Sequence, residues 1–140
     1  MEEKPQKELL KRRTRAFGVA AIRAVALLPN TVAAKEIGRQ FIRSACSAGS
    51  NYRAAQRARS TADLIAKYKI VEEELDESLH WMEVLVEAEI TNKGALKAIY
   101  VEGDELLSIV VAAIKTLRAK DGRVSESRAH YGNGLDPLFD

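Results

Sequence analysis

One cysteine, three prolines and two histidines in 140 residues remove several chemistries at the outset. The lone Cys46 excludes an internal disulfide and any cysteine-rich zinc site. No base is placed beside it by the sequence, so its expected role is that of a small helix-packing residue. No apolar run approaches the ~20 residues of a membrane span, and the opening MEEKPQKELLKRRTRAF has no apolar centre of the signal-peptide kind. A cytoplasmic chain without membrane contact is expected. Gly-rich phosphate loops, a Ser-His-Asp set and paired carboxylates in an apolar setting are also missing, so neither an enzyme nor a cofactor is expected.

What remains is helical. With 46% hydrophobic and 30% charged residues the body of the chain has the composition of a folded domain. A single domain of this size buries roughly 68% of its unfolded surface. The net charge of +2 conceals an uneven distribution: residues 1–60 hold 13 Lys or Arg against four acids, whereas residues 61–140 hold nine against 16. Such asymmetry fits nucleic-acid contact, and equally fits basic helices lying beside acidic ones.

Apolar residues recur at spacings of three and four in four segments. The first runs from about Leu9 to Leu28 and is ended by Pro29 and Asn30. The second, about Ala33 to Ala58, places Ile37, Phe41, Ala45, Ala48, Tyr52 and Ala55 on one face. Its SACSAGS stretch, residues 44–50, would let a neighbouring helix approach closely, although Gly49 costs about 1 kcal/mol in a helix interior. STAD, residues 60–63, has the form of a capping box and opens a third helix that reaches about Ile90. There Leu64, Tyr68, Val71, Leu75, Ser78, Met82 and Leu85 alternate at spacings of four and three. TNKG, residues 91–94, is a turn, and the fourth helix extends to about Lys120 with Gly103 as a weak point. Short connections predict an all-α, antiparallel up-down-up-down four-helix bundle over residues 1–120. Residues 121–140 have no helical period and are expected to form a flexible tail, unless Tyr131, Leu135, Leu138 and Phe139 dock.

Two constellations carry possible chemistry. ESLH, residues 77–80, has the Glu-x-x-His spacing of a di-metal bundle site, but both groups project roughly 130° to 170° from the core of the third helix. The second histidine, His130, lies in the tail, so no metal is expected. A solvated acidic face with Glu73, Glu77, His80 and Glu87 explains the pattern, and Trp81 and Val84 near it suggest that a partner covers part of it. On the second helix Arg39, Arg43, Arg53 and Arg57 fall within about 40° of one another, opposite Phe41, with Arg59 just beyond. This arginine stripe suits RNA phosphates, or the acidic stripe of another copy of the chain. Arginines of KRRTR, residues 11–15, would add charge to the same surface. Tyr52 belongs to the core face, so binding would rest on phosphates rather than base stacking.

Residues 28–88, and more weakly residues 10–120, resemble the bacterial 23S rRNA-intervening sequence protein family of four-helix bundles. Arg43, Ser47 and Asn51 match its Arg, Ser, Asn pattern at four-residue steps; Arg59, Ser60 and Asp63 match its Arg-x-Ser-x-x-acid pattern, and Glu77 a later acid. Gly49 replaces a frequent proline, and Ala54 and Ala55 a Glu-Gly pair, which marks a NYRAA…RARS…VEEE.DE branch. The resemblance implies a homo-oligomeric ring, in related proteins a homopentamer. It also implies a nucleic-acid association, because some family genes lie inside intervening sequences of 23S rRNA genes. Two functions are therefore expected to compete. One is an oligomer that binds RNA or another nucleic acid through Arg39, Arg43, Arg53, Arg57 and Arg59. The other is a protein-interaction scaffold whose interface includes Arg43, Ser47, Asn51, Glu73, Glu77, Trp81 and Val84.

Overall fold

The computed structural model describes residues 3–121 and 136–139. It contains four helices, α1 (Glu3–Ala26), α2 (Val32–Ala55), α3 (Thr61–Glu87) and α4 (Lys93–Lys120), and a short 3₁₀ turn at Pro137–Phe139. They form the all-α four-helix bundle, with α1 against α2, α2 against α3 and α3 against α4. The closing seam between α1 and α4 is the least packed.

The starts of α2, α3 and α4 are each written in a short polar side chain. Thr31 accepts the Ala34 N–H at 3.1 Å, Ser60 the Asp63 N–H at 3.1 Å and Asn92 the Ala95 N–H at 2.9 Å. A cap of this kind is worth about 1 kcal/mol. The capping box of α3 differs from its usual form, because Asp63 reaches back to the Arg59 N–H rather than to that of Ser60. At the other end α1 begins six residues before the expected Leu9. Pro5 is tolerated there because the first N–H groups of a helix have no internal partner, and the polar stretch offers no apolar period to read. α2 stops at Ala55 rather than Ala58, its chain tightening through Gln56, Arg57 and Ala58 N–H bonds to the carbonyls three residues before.

The core follows the periodic faces closely. Phe41, Ala45, Ala48, Tyr52 and Ala55 are buried, as are Tyr68, Val71, Leu75, Ser78, Met82 and Leu85. At the start of α3, Ile65 takes the buried position expected of Leu64. Leu27, within the segment expected to be helical up to Leu28, is 87% exposed, because the helix ends at Ala26 and the chain turns away. The small-residue stretch of α2 is explained by α1: a Cβ on Gly49 would lie 3.0 Å from the Thr14 carbonyl oxygen. Gly103 likewise faces Phe17, whose ring a Cβ would meet at 2.9 Å. It is a packing requirement rather than a weak point.

Two polar clasps hold the outer seams. Arg13 donates from Nε and Nη2 to both oxygens of Glu102, at 2.9 and 2.8 Å, and from Nη2 to Glu105 at 2.9 Å, fastening α1 to α4. Arg13 therefore leaves the free basic surface expected of KRRTR. The 121–140 segment is also revised at its end. Phe139 is completely buried, and the 3₁₀ turn rests on α3 and α4. Tyr131 and Leu135, the other docking candidates, lie outside the described residues.

Candidate nucleic-acid interface

The arginine stripe of α2 divides into a paired half and an unpaired half. Arg39 is bonded to Glu36 one turn back on its own helix. Arg43 bonds to Glu77 across the α2–α3 seam and lies 3.6 Å from Glu74. Glu77 also accepts the Trp81 indole N–H at 3.0 Å. Partial burial pulls the Glu77 carboxyl upward, yet the bonds from Trp81 and Arg43 outweigh it and hold the group below its ordinary value. The Glu77 that was expected to face outward towards a second copy is thus half-buried and engaged by its own chain. Ser47 and Asn51 are half-buried on the same side of α2, Val84 is half-buried on α3, and Glu73 is exposed.

Below this clasp the remaining arginines converge. Arg53, Arg57 and Arg59 line a groove of about 680 Å³ with Ser50, Ser60 and Lys67 at the turn from α2 to α3. One acid sits in it, Asp63, which accepts Lys67 Nζ at 2.8 Å and the Arg59 backbone N–H at 3.1 Å. Those two bonds depress its carboxyl. Arg53 and Arg57 have no side-chain partner among the described residues. A second groove of about 280 Å³ shares Ser50 and Arg53 with the first and is lined across the α1–α2 seam by Arg15, Val19 and Cys46. A third, of about 610 Å³, begins at Arg15 and runs along the open α1–α4 seam with Arg12 and Arg23 on its rim and Val19, Leu27 and Ile99 among its walls.

These shared walls make one continuous band, from Arg23 and Arg12 through Arg15 to Arg53, Arg57 and Arg59. Burial there is low, so these guanidinium groups stay exposed to water, and their planar forks have the geometry that suits phosphate or carboxylate. The α1 members of the band were only partly visible beforehand: their alternation with Arg13, which turns to α4, hides which arginines share a face with α2. Cys46, exposed beside Gly18, fills the narrow α1–α2 contact as a small residue. His80 is exposed and stands edge-on to Trp81. No group of three His, Cys, Asp or Glu side chains that could hold a metal ion occurs among the described residues. None of their helices is long and apolar enough to cross a membrane.

A known family model, that of the 23S rRNA-intervening sequence protein, matches residues 9–112. The chain belongs to this family. As a 23S rRNA-intervening sequence family protein it is similar to a solved protein of unknown function from the S23 ribosomal protein family of Bacteroides thetaiotaomicron. The identity is 28% and the TM-score 0.69, over 76% of this chain and 98% of that one. No curated protein matches the chain. Within the family pattern the structure supplies a reason for two positions: Arg43 and the later acid Glu77 are partners across one seam.

Proposed function

We propose that this family member is a non-enzymatic bundle that works in the cytoplasm as a homo-oligomer, a pentamer by the family resemblance, and binds the phosphate backbone of RNA along its arginine band. The observation that carries this reading is the continuity of three grooves through Arg15 and Arg53, with Arg53 and Arg57 free of acidic partners among the described residues. Phosphates spaced along one strand would meet successive guanidinium groups, and pooling copies would multiply the contacts. Aromatic side chains do not line these grooves, so the reading expects little preference for base identity.

Fluorescence anisotropy with a structured ribosomal RNA fragment and a matched duplex DNA, from about 50 to 200 mM salt, tests it. The Arg53→Glu/Arg57→Glu double variant should lose RNA binding, and Arg39→Glu should retain most of it. RNA affinity that is independent of salt, or unchanged in the double variant, would sink the assignment.

A scaffold reading has its own support. Val19 and Ile22 are exposed on α1, at 41 and 47%, and Leu27 just beyond its end, at 87%. Water-exposed aliphatic groups in such a row favour a protein partner, the simplest being another copy of the chain.

A further inference from the structure

The end of the chain, which lies outside the family-matched residues 9–112, docks at a second site away from the arginine band. Phe139 is completely buried, with its ring stacked on Tyr100 at 3.9 Å between centroids and 14° between planes. Leu138 packs beside it against the core. Tyr100 is held by the bundle itself, its hydroxyl donating to Glu83 at 2.6 Å from α4 to α3. The platform is therefore built without the segment that covers it. We infer that this slot between α3 and α4 is a recognition site for short turn-forming segments ending in an aliphatic and an aromatic residue. Its occupant, Asp136–Phe139, is exchangeable: the same segment of a second copy can replace it.

The segment carries its own conformation. Asp136 accepts the Phe139 N–H through its carbonyl at 2.8 Å and the Leu138 N–H through Oδ1 at 2.9 Å, while Pro137 fixes φ. A ligand organised in this way loses little freedom on docking. The tether is permissive as well. From Lys120, at the end of α4, the chain must return about 30 Å along that helix to reach Tyr100. The 14 residues numbered 122–135 can span up to about 50 Å. Length alone therefore leaves the segment slack enough to leave the slot and return.

Electrostatics make the docking weaker than its apolar contact alone would give. Asp136 of the segment, and Asp104 and Glu83 of the bundle, all act on the Tyr100 hydroxyl. Like charges around one site oppose the occupant. An Asp136→Asn segment keeps the Oδ1 acceptor and removes the repulsion, so it should bind more tightly.

The test uses the full chain with Phe139→Ala, which vacates the slot, and a labelled peptide of residues 131–140. Anisotropy should show the peptide binding this variant at least tenfold more tightly than the wild-type chain, whose own segment competes at an effective concentration of about a millimolar. A peptide carrying Phe139→Ala should not bind, and Tyr100→Leu in the vacated chain should abolish binding. No binding to a vacated chain of normal helicity, or equal binding to the wild type, overturns the site. Should Phe139→Ala unfold the bundle, millimolar Asp136→Asn peptide is titrated into the wild-type chain. Displaced Tyr100 and Phe139 ring resonances in NMR then support exchange, and unmoved ones overturn it.

Discussion

At the scale of single residues, backbone geometry decides two outcomes that composition does not announce. Glu89 ends α3 in the left-handed region, at φ 60, where its N–H bonds Val86 O and the next N–H, of Ile90, bonds Leu85 O. This is the Schellman arrangement, which normally uses glycine because a Cβ crowds the following carbonyl. Glu89→Gly should therefore stabilise the fold by about 1 kcal/mol and raise the melting temperature by roughly 2–4 °C in a thermal circular-dichroism scan. Gly103 runs the other way. Alanine there gains about 1 kcal/mol of helix propensity but drives its Cβ to 2.9 Å from Phe17 and 3.1 Å from Leu79 Cδ2, both buried. Overpacking of this kind costs about 1–3 kcal/mol, so Gly103→Ala should be destabilising by about 1 kcal/mol in urea titration. Neither site was legible as such. A glycine's neighbours on other helices, here α1 and α3, and a glutamate's φ leave no local pattern in sequence.

Among elements, what could be read depended on how local its cause was. The four helices follow from periodicity and the start of α3 from Ser60, and Thr31 and Asn92, though not read as caps, act just as locally on α2 and α4. Inter-helix polar pairs did not follow: Glu77 was expected on the outer face of α3, and its turn towards Arg43 depends on packing that Ser44 and Ser78 share, at 2.9 Å, in the interior. The clasp also places Glu74 in a half-buried position, where loss of water raises its carboxyl above the ordinary value despite the pull of Arg43, and one oxygen lacks a hydrogen bond. A raised folded-state value means that the folded chain binds a proton more readily than the unfolded one. Its charge therefore costs stability at neutral pH, and the cost fades as pH falls through the folded value towards the ordinary one. Glu74→Gln should be more stable than wild type at pH 7, with the difference shrinking towards pH 4 in urea titrations. A difference independent of pH would mean that the charge is not the cause. Arg43→Ala, which removes a guanidinium that is itself half exposed to water, should cost only about 0.5–1 kcal/mol.

Across the whole molecule the unequal charge of the two halves becomes spatial: α1 and α2 carry the arginine band, and α3 and α4 carry most of the acids. The sequence showed this division but not its consequence, because Arg13, Arg39 and Arg43 are consumed by Glu102, Glu36 and Glu77 while Arg15, Arg53 and Arg57 are not. Which arginines remain available is a property of the assembled bundle. Self-association, if it uses charge alone, would join basic and acidic faces and weaken steeply with salt, since exposed pairs are screened beyond about 10 Å at 0.1 M. The exposed Val19, Ile22 and Leu27 argue for an apolar contribution, which salt strengthens or leaves unchanged. Gel filtration with light scattering separates the two. We expect the oligomer to persist from 50 to 500 mM salt, to dissociate in Ile22→Glu with helicity intact, and to survive Arg43→Glu, because that arginine is engaged within its own chain. An oligomer split by Arg43→Glu but not by Ile22→Glu would place the contact on the α2–α3 face instead. The arginine band would then lie beside the seam between copies, where several guanidinium groups could face one nucleic-acid strand together.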